Sequence, residues 1–151
     1  MLATLTLAAL AFGLPTQSST PAPARNPLER VVVIGASLAA GFGADRTMAE
    51  ALEASLREPV RPVLGLGDFL FFTSPLAIGD RQVEAASDAD PSLVVAIDFL
   101  FWFGYGNLDA KGQPIEVESQ RLELLERGLR TLEELECPLV VGDFPDMSAA
   151  V

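Results

Sequence analysis

A serine two residues beyond a run of β-branched residues is the first position with chemical promise. Val31-Val32-Val33-Ile34 leads into Gly35-Ala36-Ser37-Leu38-Ala39-Ala40-Gly41-Phe42-Gly43. A continuous apolar run of this kind suits a strand buried on both faces of a parallel sheet. At the carboxyl end of such a strand, side chains and N–H groups face the crevice where ligands bind. Ser37 there has the chemistry of a nucleophile, and adjacent N–H groups have that of oxyanion donors. The same residues also suit a plain tight turn, with Ser37 capping a helix. A dinucleotide site is a third reading, with Asp68 after the second strand imitating the ribose-binding acid. The spacing disfavours it: Gly35 to Gly41 is two residues too long for Gly-x-x-x-Gly-x-Gly, and Tyr105 and Lys111 stand six apart.

Composition narrows the chemistry further. The 151 residues carry 10 Lys and Arg against 21 Asp and Glu, a net charge of −11. So acidic a chain is a poor match for nucleic acid or an anionic membrane. It has no histidine, and so lacks the usual general base near pH 7 and the commonest metal ligand. Its one cysteine, Cys137, excludes an internal disulfide and reads as a small core residue. No carboxylate cluster has metal-ligand spacing, so neither a metal nor a cofactor is expected. Asp143 follows the fourth strand and is read as a helix cap ahead of Pro145, or as a group that orients a base.

The elements that must position Ser37 alternate along the chain. Strands are expected over 31–34, 63–66, 93–97 and 138–142. The first helix starts at the capping box Thr47-Met48-Ala49-Glu50, carries Met48, Leu52 and Leu56 inward, and stops before Pro59. A short helix over 81–87 follows Gly79-Asp80, with Val83 and Ala86 as its apolar side. Asp88-Ala89-Asp90-Pro91 is a turn. The long helix begins at Ser119 with Leu122, Leu125, Leu129 and Leu132 as its buried stripe. Glu123 with Arg127 and Glu126 with Arg130 lie on its wet side. Residues 69–72 are apolar without a clear period. The aromatics between Phe99 and Tyr105 extend the third strand and cover the sheet, or else line a pocket.

Strand and helix in alternation give a three-layer α/β domain with a parallel sheet. No helix follows the fourth strand, so the sheet is expected to be truncated there. Residues 2–14 are apolar, uncharged and too short to span a bilayer. Ala22-Pro23-Ala24 fits a cleavage site, although no Lys or Arg precedes Arg25. A signal peptide over 1–24, a mature domain over 25–151, and export to the periplasm or cell exterior are the expectations.

The stretch from Val31 to Gly43 resembles the first block of the SGNH, or GDSL-type, hydrolases. The resemblance implies a flavodoxin-like sheet and hydrolysis of a small-molecule ester or acyl substrate through an acyl-serine. Ser37 would then be the nucleophile and its own N–H an oxyanion donor, with Ala36 in place of the family's Asp. Gly79 matches by position the family's second oxyanion donor. The family's Gly-x-Asn-Asp is replaced after strand three by Ile97-Asp98-Phe99-Leu100, which leaves Asp98 or Asn107 to orient the intermediate. The closing Asp-x-x-His has no counterpart. General-base help is worth ~10²–10⁴-fold, so the chain is expected to be nearly inactive as a hydrolase and to be a fragment of one. The alternative is a non-catalytic binding or scaffolding domain of the same fold.

Overall fold

The computed structural model describes residues 25–57, 61–106, 115 and 117–144. The expected signal peptide, Asn107, Lys111 and Pro145 lie outside the described residues. In chain order the elements are β1 (Val31–Val33), α1 (Met48–Ser55), β2 (Leu64–Gly65), α2 (Pro75–Asp88), β3 (Leu93–Ala96), α3 (Phe101–Tyr105), α4 (Glu118–Glu133) and β4 (Leu139–Val141). A 3₁₀ turn, Phe71–Thr73, precedes α2.

The strands form one all-parallel sheet in the order β2-β1-β3-β4. Side chains alternate across it, as a period of two requires. Val31, Val33 and Val95 face α1 and pack with Ala49, Val63, Met48 and Leu52. Val32, Ile34, Val94 and Ala96 face the other way, into a larger core with Phe71, Ile78, Val83, Phe99, Phe103 and Leu132. Helices therefore cover both faces, and the three layers follow the expected α/β plan. Among the described residues no helix is long and apolar enough to cross a membrane.

The strand order fixes where a site can lie. The chain steps outward from β1 to β2, then returns across β1 to lay down β3 and β4. The carboxyl ends of β1 and β3 flank the point of reversal, where open α/β sheets bind ligands.

Three elements differ from the sequence-based expectation. Helix α2 starts at Pro75, ahead of 81, because Pro at the first helical position is pre-set for the turn and needs no N–H partner. Gly79 is thereby inside the helix instead of opening it. Strand β3 ends at Ala96 and residues 97–100 turn at once into α3, so the aromatics do not prolong the strand. In α4 the inward face is Leu125, Gly128, Thr131 and Leu132, while Leu122 and Leu129 are exposed. Gly128 sets that phase. A Cβ there would stand 2.8 Å from Phe103 Cγ and 3.0 Å from Leu100 Cδ2, so the glycine lets α4 close on α3. Arg127 pairs at 3.7 Å with Asp80 of α2, and Glu126 pairs at 3.7 Å with Arg130 as expected.

Candidate functional site

Beyond β1 the ladder runs one residue further, with the Ile34 N–H donating to Val95 C=O at 3.0 Å. Gly35 then takes φ +142°, a conformation that side chains rarely adopt. The next residues wind into a compact turn, with Ala40 N–H donating to Ala36 C=O at 2.9 Å and Phe42 N–H to Ser37 C=O at 2.8 Å. No helix starts at Ser37, so the helix-cap reading of this serine does not hold. Its side chain is partly buried, and among the described residues neither its hydroxyl nor its N–H has a hydrogen-bond partner.

Two side chains from other elements hold this turn. Asp98, two residues past β3, accepts the Ala36 N–H on Oδ1 at 2.9 Å and the Leu38 N–H on Oδ2 at 2.7 Å. One carboxylate thus takes the amides on either side of Ser37. Gly35 passes directly under it: a Cβ at that position would collide with Asp98 Oδ1. From α2 the buried Gln82 accepts the Gly35 N–H at 2.9 Å and donates from Nε2 to Gly35 C=O at 2.9 Å and Leu66 C=O at 2.7 Å.

The loop after β2 forms the outer wall. Asp68 N–H donates to Gly35 C=O at 3.0 Å, and Gly67 lies so close to Ala39 and Ala40 that a Cβ would stand 2.6 Å from Ala40 N. The Asp68 carboxylate turns back on its own loop and accepts the Leu70 N–H at 2.8 Å. That is an Asx turn, which commits Asp68 to shaping the loop.

Ser37 and Asp98 are therefore brought together, and Gly79 is not. Gly79 is the fifth residue of α2, past the four N–H groups a helix leaves free, so its N–H belongs to the helical ladder. It is buried under aromatic rings, with a Cβ 3.1 Å from Phe99 and 3.2 Å from Phe103. Its absent side chain makes room for packing, and an oxyanion role for Gly79 is withdrawn. Asp143 is exposed, and its carboxylate accepts the Phe144 N–H at 2.8 Å. The aromatics divide. Phe71, Phe99 and Phe103 are core, with ring centroids 5.3 to 5.9 Å apart, whereas Phe42, Phe69 and Phe72 are exposed.

Gln82 was not singled out from the sequence. Its signal is a lone amide next to Val83 on the apolar side of a helix, where a polar residue must bring its own partners. At the opposite end of the sheet a cavity of about 630 Å³ is lined by Arg25, Ser87, Asp90, Glu134 and Cys137. There Arg25 pairs with Asp90 at 2.9 Å and holds that carboxyl below its ordinary range. Burial pushes the Cys137 thiol up, as fits a small packing residue. Among the described residues no group of three or more Cys, Asp or Glu could hold a metal ion.

Comparison with family models, with curated proteins and with solved structures returned no match to this chain. The functional reading therefore rests on the turn around Ser37 and on the sheet that presents it.

Proposed function

We propose that the chain carries the nucleophile half of an SGNH-like serine hydrolase site that acts on ester or acyl bonds. The observation that carries the reading is the clamp of Asp98 on the amides of Ala36 and Leu38. It fixes the residue between them, at the reversal point of a parallel sheet, with a hydroxyl and an N–H on one residue. The strand order β2-β1-β3-β4 supports a flavodoxin-like arrangement, in which ligands meet the carboxyl ends of the central strands.

In this reading Ser37 Oγ bonds to the acyl carbon, and the carbonyl electron pair moves to oxygen, where the Ser37 N–H stabilises it. The C–O bond to the leaving alcohol then breaks, and water later releases the acid. The Oγ proton passes to solvent base, because the chain contains no histidine, and the rate suffers accordingly. Ionised Asp98 accepts hydrogen bonds and donates none, so it positions the turn and does not bind the oxyanion. The orienting role implied for Asn107 stays with the resemblance, as that residue is outside the described part.

Intact mass spectrometry after exposure to p-nitrophenyl acetate, with peptide mapping, tests this. One acetyl group on Ser37, lost in Ser37→Ala, is expected. Acetylation elsewhere, with Ser37 untouched, overturns the proposal.

A second reading, a binding domain without chemistry, is favoured by one observation. The two amides flanking Ser37 are already spent on an internal carboxylate, which leaves them unable to hold a substrate oxygen.

A further inference from the structure

Helix α2 turns one stripe, Ile78, Arg81, Gln82 and Ala85, toward the chain that leaves β2. The spacing i, i+3, i+4, i+7 puts these four residues on one helical face. Across from them stand Leu66 and Asp68, and the two walls enclose a cavity of about 250 Å³. The walls are tied together. The buried Gln82 amide donates to Leu66 C=O at 2.7 Å, and Gly67, between Leu66 and Asp68, lies against Ala39 and Ala40. Leu66, Ile78 and Ala85 supply apolar surface. The volume is below the range of about 300–1,000 Å³ that suits drug-sized ligands, which selects a small molecule.

Two opposite charges line this cavity without satisfying each other. Among the described residues neither the Arg81 guanidinium nor the Asp68 carboxylate forms an ion pair. Asp68 Oδ1 accepts the Leu70 N–H at 2.8 Å, which fixes the carboxylate, and Oδ2 accepts no hydrogen bond among the described residues. A simple carboxylate ligand would meet Asp68 and the long-range repulsion of a chain of net charge −11. A simple ammonium ligand would meet Arg81. A zwitterion brings a partner for each and no net charge. An apolar side group on it would cover Leu66, Ile78 and Ala85.

We infer that this cavity binds a small apolar α-amino acid, with its carboxylate on Arg81 and its ammonium on Asp68. The site does not depend on the hydrolase reading. It abuts the serine turn, because Gln82 in its wall also holds the N–H and the C=O of Gly35.

Titration of the isotope-labelled full chain with L-leucine near neutral pH, followed by two-dimensional amide NMR, tests the inference. Saturable shifts are expected at the Arg81 Nε–H, the Gln82 side-chain amide and the Gly35 N–H. Isocaproate lacks the ammonium of leucine, and isoamylamine lacks its carboxylate. Each is expected to bind at least about tenfold more weakly, because it gives up one charge-assisted contact. Arg81→Gln and Asp68→Asn are each expected to weaken leucine binding to the same extent. The asparagine keeps an acceptor for the Leu70 N–H, so the loop retains its turn. The remote variant Arg130→Gln keeps the wild-type affinity. Variant spectra that match the wild type away from the cavity show that the loss is local. The absence of saturable shifts, half-ligands that bind as tightly as leucine, or wild-type affinity in either cavity variant overturns the site.

Discussion

Gly35 and Gln82 hold each other by a reciprocal pair of hydrogen bonds. The glycine N–H donates to Gln82 Oε1, and Gln82 Nε2 donates to the glycine carbonyl, both at 2.9 Å. A side-chain amide on α2 thereby completes the backbone of β1 just where the ladder gives out. In Gln82→Leu the Gly35 N–H and the Leu66 C=O lose this partner, while the Gly35 C=O keeps the Asp68 N–H. Each buried polar group left unpaired costs about 1–3 kcal/mol, so a loss of roughly 2 kcal/mol or more in urea denaturation is expected. A loss below about 1 kcal/mol would show that water replaces the amide without penalty.

Asp98 makes the matching contact from the other side. Asp98→Ala frees both the Ala36 and Leu38 amides, and hydrogen bonds to charged groups are worth about 1.5–3 kcal/mol each. Amide hydrogen exchange at residues 36 and 38 is expected to accelerate in this variant, with the interior of α4 unchanged. Asp98→Asn keeps one acceptor oxygen and should restore protection at one of the two amides. Exchange that rises equally across the molecule would instead mark a global loss of stability.

The close approach of α4 to α3 predicts an unusual response to a helix-favouring change. Gly128→Ala gains about 1 kcal/mol of helix propensity, yet its methyl group meets Phe103 Cγ at 2.8 Å. Overpacking of a well-filled core costs about 1–3 kcal/mol, so the variant is expected to be neutral to destabilised. Leu129→Ala on the adjacent exposed position should fall within about 0.5 kcal/mol of wild type. Urea denaturation of the two variants checks both, and a Gly128→Ala protein clearly more stable than wild type would contradict the packing.

The start of α1 carries a pH-dependent contribution. Thr47 Oγ1 accepts the Glu50 N–H at 3.2 Å, and Glu50 Oε2 accepts the Thr47 N–H at 2.8 Å. The Thr47 backbone N–H and, after it, the Thr47 hydroxyl, which donates to Glu50 Oε2 at 3.0 Å, hold the Glu50 carboxyl below its ordinary value of 4.5. A depressed folded-state pKa adds stability above the unfolded value and loses it as pH falls through the folded value. Thr47→Ala is expected to cost about 1 kcal/mol near neutrality, and the gap from wild type should narrow below the ordinary glutamate range. Thermal melts across that acidic range measure the gap, and a gap that widens on acidification would reverse the assignment.

The legible parts of the fold were those written in local chemistry. Thr47-Met48-Ala49-Glu50 spells a capping box, and α1 starts there with both bonds formed. Short apolar runs marked all four strands, the first of them β-branched throughout, and strand–helix alternation pointed to the parallel sheet. What was illegible depended on partners distant in sequence. The inward face of α4 is set by a glycine against Phe103, which no periodicity of leucines reveals. Gly79 matched a motif by position alone, and the ring packing of Phe99 and Phe103 explains it better. In the site, Ser37 was visible from its glycine-rich turn. The clamp by Asp98 was not, because it joins residues about sixty positions apart across two strand ends.

The two cores of this molecule are unequal. The sheet face under α2, α3 and α4 is filled by interlocked aromatic rings, while the α1 face is closed by valines and alanines over a β2 strand of two exposed residues. Regions with less buried apolar contact open first while the rest of a protein stays folded. Ala39 of the serine turn belongs to that lighter side. The Ala39 side of the serine turn is therefore expected to open first, while the aromatic half keeps the register of the strands.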